Sequence, residues 1–243
     1  MALNKNLICI NNKLLYWNFP VDIFKYFKEV WILTYMFDCQ IQKYYYDFYG
    51  INYEYYQVNM GKLIKYDINN DYKKRIELSR LINIYEGKLN LIGEDEYSLC
   101  VNWFKRDDGT LQGILKNNLY NWFNNVNRGI KAKYRLWTTF KSYKSNLKGK
   151  GYTKQFISVN IRATNDYKDT YVLAYCCNRY IKPTIGLFFS KRNIIINQDK
   201  YALSEMLQWI WRSRIREGKP INIYIPNKRM RKLLIDYLQP KSN

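Results

Sequence analysis

Residues 7–10 and 14–17 are short apolar runs, and Pro20 follows at the first-turn position of a helix, where its missing N–H costs nothing. Val21, Phe24 and Phe27 mark the buried side of that helix. Residues 30–36 form a continuous apolar run rich in branched and aromatic side chains, which suits a strand covered on both faces, so the first fifty residues predict a βαβ unit with parallel pairing. Residues 40–49 are helical in spacing, Gly50 ends them, and 51–58 alternate as a strand would. A lobe boundary is therefore expected near residue 50. Between about 60 and 135 the signals are mixed; only 111–126 stands out, with helical spacing through Leu111, Ile114, Leu115, Leu119, Trp122 and Phe123, and the region reads as an elaboration on a core fold.

The last third is more regular. Residues 156–163 predict a strand ending in Thr164-Asn165-Asp166, 172–180 a helix before Pro183, and 194–196 a short strand. Asp199 is the expected N-cap of a helix reaching Arg216, which Gly218 and Pro220 stop. Residues 221–225 predict another strand, and Pro226-Asn227 leads into a last helix ending near Leu238. Alternating strands and helices predict an α/β fold: a parallel sheet flanked by helices.

Charge adds a partner to this picture. Lys and Arg number 40 against 20 for Asp and Glu, a formal net charge of +20, which calls for a polyanion. Asn, Lys, Ile and Tyr share AT-rich codons, so genome composition accounts for part of the bias, although less for the clustered arginines. The chain has no histidine, which excludes Ser-His-Asp triads, Cys-His proteases, HNH nucleases and His-ligated zinc sites. Its five cysteines are scattered except for Cys176-Cys177, and read as reduced core residues. No apolar stretch approaches a membrane span and the N-terminus lacks a signal core, so a cytoplasmic location without membrane contact is expected.

Between 128 and 165 the chain carries Arg128, Lys131, Lys133, Arg135, Lys141, Lys144, Lys148, Lys150, Lys154 and Arg162 and no acid. Trp137, Phe140, Tyr143 and Tyr152 are interleaved with them. Cations that follow phosphates and flat rings that stack on bases make a single-strand binding surface, with DNA as the expected partner. A solvated basic face over ordinary core aromatics fits the same pattern.

On the predicted helix 201–216, Leu203, Met206, Leu207, Ile210 and Trp211 recur at core spacing, while Glu205, Gln208, Arg212 and Arg216 share the opposite face. A row of amide and guanidinium groups suits phosphate oxygens, and equally suits a solvated face paired with Glu205 and Glu217.

The block NIIINQDKYALSEMLQWIWRSRIREGKPINIYIP resembles motif VI of superfamily 2 helicases: Gln208 and Arg212 match, and Ile215 stands at the third position between Arg214 and Arg216. FISVNIRATNDY is similar to motif V, which implies contacts from Arg162, Thr164, Asn165 and Asp166, and VWILTYMF is similar to the motif III strand, with Thr34 at its polar position. With YNWFNN, LWTTFK and the Arg229-Met230-Arg231 ending, the chain resembles the C-terminal half of phage and plasmid replication helicases. The resemblance implies a RecA-like second lobe over 51–243 after a first-lobe remnant over 1–50. It also implies that Gln208, Arg212 and Arg214 or Arg216 complete an ATP and Mg²⁺ site supplied by a first helicase lobe or by missing N-terminal sequence. Lys148-Gly149-Lys150-Gly151 lacks the upstream glycine and following Ser or Thr of a phosphate loop, and no acidic box follows a strand, so the chain alone is expected not to hydrolyse ATP. The alternative is a non-enzymatic single-strand-binding accessory factor in phage or plasmid replication or recombination. A third possibility, a metal-dependent nuclease, rests on Glu94, Asp95 and Glu96, with no catalytic lysine placed beside them.

Overall fold

The computed structural model describes residues 7–10, 14–17, 19–161 and 165–239. In chain order its elements are β1 (Leu7–Ile10), β2 (Leu14–Trp17), α1 (Ile41–Phe48), β3 (Tyr56–Asn59), β4 (Lys62–Lys65), α2 (Ile68–Ser79), β5 (Ile82–Ile84), α3 (Val101–Arg106) and α4 (Thr110–Asn121). They continue with β6 (Arg135–Thr138), α5 (Lys144–Leu147), β7 (Val172–Tyr175), α6 (Pro183–Ser190), α7 (Gln198–Ile210), β8 (Ile221–Tyr224) and α8 (Lys228–Leu238). Contacts divide the chain into two units, Met1–Glu54 with Ile181–Tyr201 and Tyr55–Tyr180 with Ala202–Asn243.

In the first unit β1 and β2 pair antiparallel, Leu7 opposite Trp17. The expected βαβ arrangement of residues 1–50 is thereby corrected: the two short runs, three residues apart, pair with each other as a hairpin instead of with a strand beyond the 20–29 segment. The apolar run at 30–36 forms no strand, and Leu33 within it is 97% exposed. Tyr44, Ile181, Phe188, Phe189 and Ile196 make this unit's core, and the Tyr44 hydroxyl accepts from the Asn197 N–H at 3.0 Å.

The second unit holds the β3–β4 hairpin and a four-stranded sheet of order β5-β8-β7-β6, parallel throughout. Leu173 pairs with both Leu136 and Ile223. Both faces of the sheet are covered. Val172 and Ala174 of β7 pack with Leu115, Leu119 and Phe123 on one side, while Tyr175 meets Trp209 of α7 edge-on at 5.5 Å. All four residues of β7 are buried. That is why 172–180 reads as a helix in sequence: a strand covered on two faces has no alternation to reveal it. The predicted helix there is corrected to β7 and an irregular segment after it.

Residues 156–161 contribute only a single bridge, Phe156 to Trp137, instead of the expected strand. Residues 194–196 form no strand. α7 starts at Gln198, with the Asn197 side chain accepting from the Lys200 N–H at 2.9 Å in the capping position expected of Asp199. It stops at Ile210, and Arg214–Glu217 is a separate 3-10 turn closed by Gly218 in the left-handed region (φ 69°). Where the chain leaves β8, Gly93 lies against the Pro226 carbonyl so closely that a Cβ would stand 2.0 Å from its oxygen. Among the described residues no helix is long and apolar enough to cross a membrane.

Candidate nucleic-acid interface

Arg135 opens β6 and is buried, which is rare for a guanidinium; both terminal nitrogens are hydrogen-bonded, while its Nε has no partner. Its Nη1 donates to the Asn124 Oδ1 at 2.9 Å and the Gly151 carbonyl at 3.1 Å, and its Nη2 to the Ile130 carbonyl at 2.8 Å. Asn124 in turn donates to the Lys150 carbonyl at 3.1 Å. Gly151 has φ 86°, and a Cβ there would come within 2.8 Å of Arg135 Nη1. A single cation thus draws three chain segments together. Exposed Arg128, Lys131 and Lys133 flank one of them, and exposed Lys148 and Lys150 flank another. Arg135 itself is committed to these carbonyls and is corrected from phosphate contact to scaffold.

The rings expected to stack on bases are likewise committed inward. Trp137 and Tyr152 are fully buried in the core that also holds Phe123 and Leu147. Trp137 donates to the Tyr152 carbonyl at 2.8 Å, and Tyr152 to the Leu147 carbonyl at 2.9 Å. Burial pushes the Tyr152 phenol far above its ordinary value. Phe140 and Tyr143 pack against the same core. Trp137 is therefore no base-stacking platform. Lys141, Lys144 and Lys154 are exposed but lie outside the segments joined by Arg135, and the Lys144 ammonium sits 4.8 Å over the Phe156 ring.

Two rings that the interleaving pattern did not single out are half-exposed beside the cations. Tyr134 precedes β6 and Tyr171 precedes β7; their centroids are 5.3 Å apart, and the Tyr171 N–H donates to the Tyr134 carbonyl at 2.8 Å. The Arg214 guanidinium carbon lies 3.9 Å from the Tyr171 ring centroid, and its Nε donates to the Pro220 carbonyl at 2.6 Å. Tyr134, Asp169, Tyr171, Arg214 and Lys219 line a cleft of about 310 Å³. No local sequence signal marks it, because the two tyrosines meet only through the pairing of β6 with β7.

The helicase-like residues are split by the end of α7. Gln208 and Glu205, with Val159, Asn160 and Ile161, line a pocket of about 30 Å³. Arg212 lies beyond the helix and donates to the Ile161 carbonyl at 3.3 Å, and Arg216 donates to Asn165 Oδ1 at 2.7 Å. The two predicted clusters therefore do meet among the described residues, at Ile161 and Asn165. Arg162 and Thr164 lie outside the described residues. Arg214 accompanies the amino ends of β7 and β8, its N–H donating to the Thr170 carbonyl at 3.0 Å. The expected single row of Gln208, Arg212 and Arg216 on one helix is corrected accordingly. A pocket of that size holds one water. No glycine-rich phosphate cradle of the P-loop pattern occurs in the sequence.

Ligands of open parallel sheets occupy the carboxyl ends of the strands. Here those ends are filled by side chains. Arg229 donates to Asn178 Oδ1 at 2.7 Å and the Arg179 carbonyl at 3.0 Å, and Arg179 pairs with Glu205 at 3.2 Å. Arg231 bonds the Ile225 and Pro226 carbonyls and pairs with Glu86 at 3.2 Å and Glu94 at 3.0 Å. A hydrogen bond from Lys228, then Arg231, holds the Glu94 carboxyl below its ordinary range. Glu94 is thus an ion-pair partner, Asp95 accepts the Tyr97 N–H at 2.9 Å, and among the described residues no three His, Cys, Asp or Glu side chains form a metal cluster. Burial raises the Cys176 thiol well above its usual value and the Cys177 thiol to about 12, which suits packing rather than nucleophilic chemistry.

The family model described as the YonV C-terminal Rossmann-like domain matches residues 76–238, from the last turn of α2 through α8 and so across the whole parallel sheet. The SPbeta prophage-derived uncharacterized protein YonV of Bacillus subtilis (strain 168) is 52% identical over 243 residues. The alignment covers 98% of this chain and 59% of that relative, so the chain spans about three-fifths of its relative's length. No solved structure matches the chain. These findings agree with the parallel α/β architecture and the phage link expected from the sequence, and neither carries a helicase description. The chain belongs to the YonV C-terminal Rossmann-like domain family.

Proposed function

We propose that this chain is a nucleic-acid-binding α/β module of a phage-type protein that grips DNA chiefly through its phosphates. The supporting observation is the Arg135 scaffold, which brings exposed Arg128, Lys131 and Lys133 beside exposed Lys148 and Lys150 in a stretch that contains no acid. With Trp137 and Tyr152 buried, affinity rests on counterion release. Fluorescence anisotropy with a labelled oligonucleotide at a series of salt concentrations tests the reading. Log affinity is expected to fall linearly with log salt, by roughly 0.7 to 0.9 per phosphate contact. Binding unaffected by salt would contradict it.

A second reading is favoured by the position of Gln208 and Arg212 beside 159–161. In it these two groups complete the ATP and Mg²⁺ site of a first helicase lobe carried by another polypeptide or by missing N-terminal sequence. DNA-stimulated ATP hydrolysis should then appear only when that lobe is added, and Arg212→Ala should abolish it; unchanged hydrolysis in the variant would end this reading.

A further inference from the structure

We propose that the cleft at the amino ends of β6, β7 and β8 holds one nucleotide of a single-stranded nucleic acid, an inference that rests on the phosphate-binding reading above. Its volume, about 310 Å³, is at the lower end of the span for small-ligand pockets, roughly 300–1,000 Å³. Its walls carry the flat groups on which bases stack: the tilted pair Tyr134 and Tyr171, and the Arg214 guanidinium, whose carbon lies 3.9 Å from the Tyr171 centroid and itself covers that face of the ring. Pro220 fixes that guanidinium through its Nε, so the planar surface is set before any ligand arrives.

The charges around these rings point the same way. The exposed Lys219 ammonium is at the rim, held at 2.8 Å by Glu217, and the Lys133 ammonium lies 4.9 Å over the Tyr134 ring. Both are placed to meet phosphate. Asp169 puts a hydrogen-bond acceptor in the lining. A site for a bare anion gains nothing from a carboxylate, whereas a nucleobase presents amino and imino donors to it. The site is also continuous with the clasp that Arg135 forms on Asn124, Ile130 and Gly151, because Tyr134 is the residue before Arg135 and Lys133 the one before that. A strand whose phosphates lie on Lys131 and Lys133 is delivered directly to the cleft. The location differs from the cofactor position of Rossmann-like sheets, which is at the carboxyl ends of the strands.

The test uses a single-stranded oligonucleotide containing 5-iodouracil, irradiated in complex with the unaltered chain, with the adducts located by peptide mass spectrometry. Adducts on Tyr134 or Tyr171 are expected. Adducts confined to 141–154, on a chain that binds the strand, would overturn the assignment. In parallel, Tyr134→Leu and Lys219→Glu are compared with the parent chain on a single strand and a duplex of equal length. The single-strand preference should fall about tenfold in Tyr134→Leu, as loss of one stacked base implies, while the salt slope on duplex is unchanged. An unchanged preference in both variants refutes the cleft, whereas absence of salt-dependent binding to either substrate in the parent chain refutes the phosphate-binding reading instead. A free nucleoside monophosphate that binds as tightly as the oligonucleotide would overturn the strand in favour of a mononucleotide.

Discussion

Arg135 Nη1 donates to the carbonyl of Gly151 at 3.1 Å, so a buried side chain at the first residue of β6 is tied to the turn that carries Lys150. The bond makes stability and cation placement depend on the same guanidinium. Arg135→Leu leaves the Ile130 and Gly151 carbonyls and Asn124 Oδ1 without this donor and should cost about 3 kcal/mol in chemical denaturation. Gly151→Ala adds a Cβ at φ 86° next to Nη1 and should cost at least about 1 kcal/mol. Wild-type midpoints in both variants would remove the clasp.

Trp137 separates a core role from a binding role. Trp137→Ala should lower stability by about 3–5 kcal/mol, the usual result of emptying a fully buried aromatic site. Trp137→Phe, which keeps most of the packing, should bind DNA within about twofold of the parent. A much larger loss of affinity in the folded Phe variant would show that the indole reaches the ligand.

Much of this was readable from sequence where local chemistry decides the outcome. The Asn227 cap of α8, seen as a 2.9 Å bond from the Met230 N–H, and the left-handed Gly50 and Gly218 are set by residue type, and α1, α4, β8 and α8 followed. β7 was missed because a strand buried on both faces looks like any apolar run, and β6 because its Leu136 and Trp137 sit inside the most basic stretch of the chain. The exposed lysines were legible as a group. The burial of Arg135 was not, since charged residues are exposed by default and only the folding of Asn124, Ile130 and Gly151 around it reverses that. Tyr134 and Tyr171 became a pair through strand order alone, 37 positions apart in sequence and hydrogen-bonded across β6 and β7.

Thiol reactivity should follow burial. At pH 8 in native buffer an aromatic disulfide reagent should label exposed Cys9, and half-exposed Cys100 more slowly, while Cys39, Cys176 and Cys177 react only after denaturant is added. Cys177, with its thiol pushed to about 12, carries almost no thiolate at that pH. Rapid labelling of Cys176 or Cys177 in the folded chain would show that the carboxyl ends of the strands are open.

Acid should weaken the Glu94 pairs. The folded carboxyl is held below its ordinary value by Lys228 and then Arg231, so its contribution is complete above the unfolded pKa, near 4.3, and is lost as pH falls through the folded one. Glu94→Gln should flatten the stability curve below about pH 4.5 and leave its shape near neutrality unchanged. An identical acid limb in parent and variant would show that the carboxylate contributes nothing to folding.

The salt dependence of DNA binding in two double variants with the same change in net charge tests the central claim most directly. Lys131→Ala with Lys150→Ala removes cations from two segments joined by Arg135, whereas Lys73→Ala with Lys74→Ala removes two exposed cations from α2. The first pair should reduce the slope on a single strand by roughly 1.4, two contacts at about 0.7 each, and the second should leave it unchanged. Equal effects from the two pairs would mean that net charge alone drives binding and that the Arg135 scaffold builds no interface.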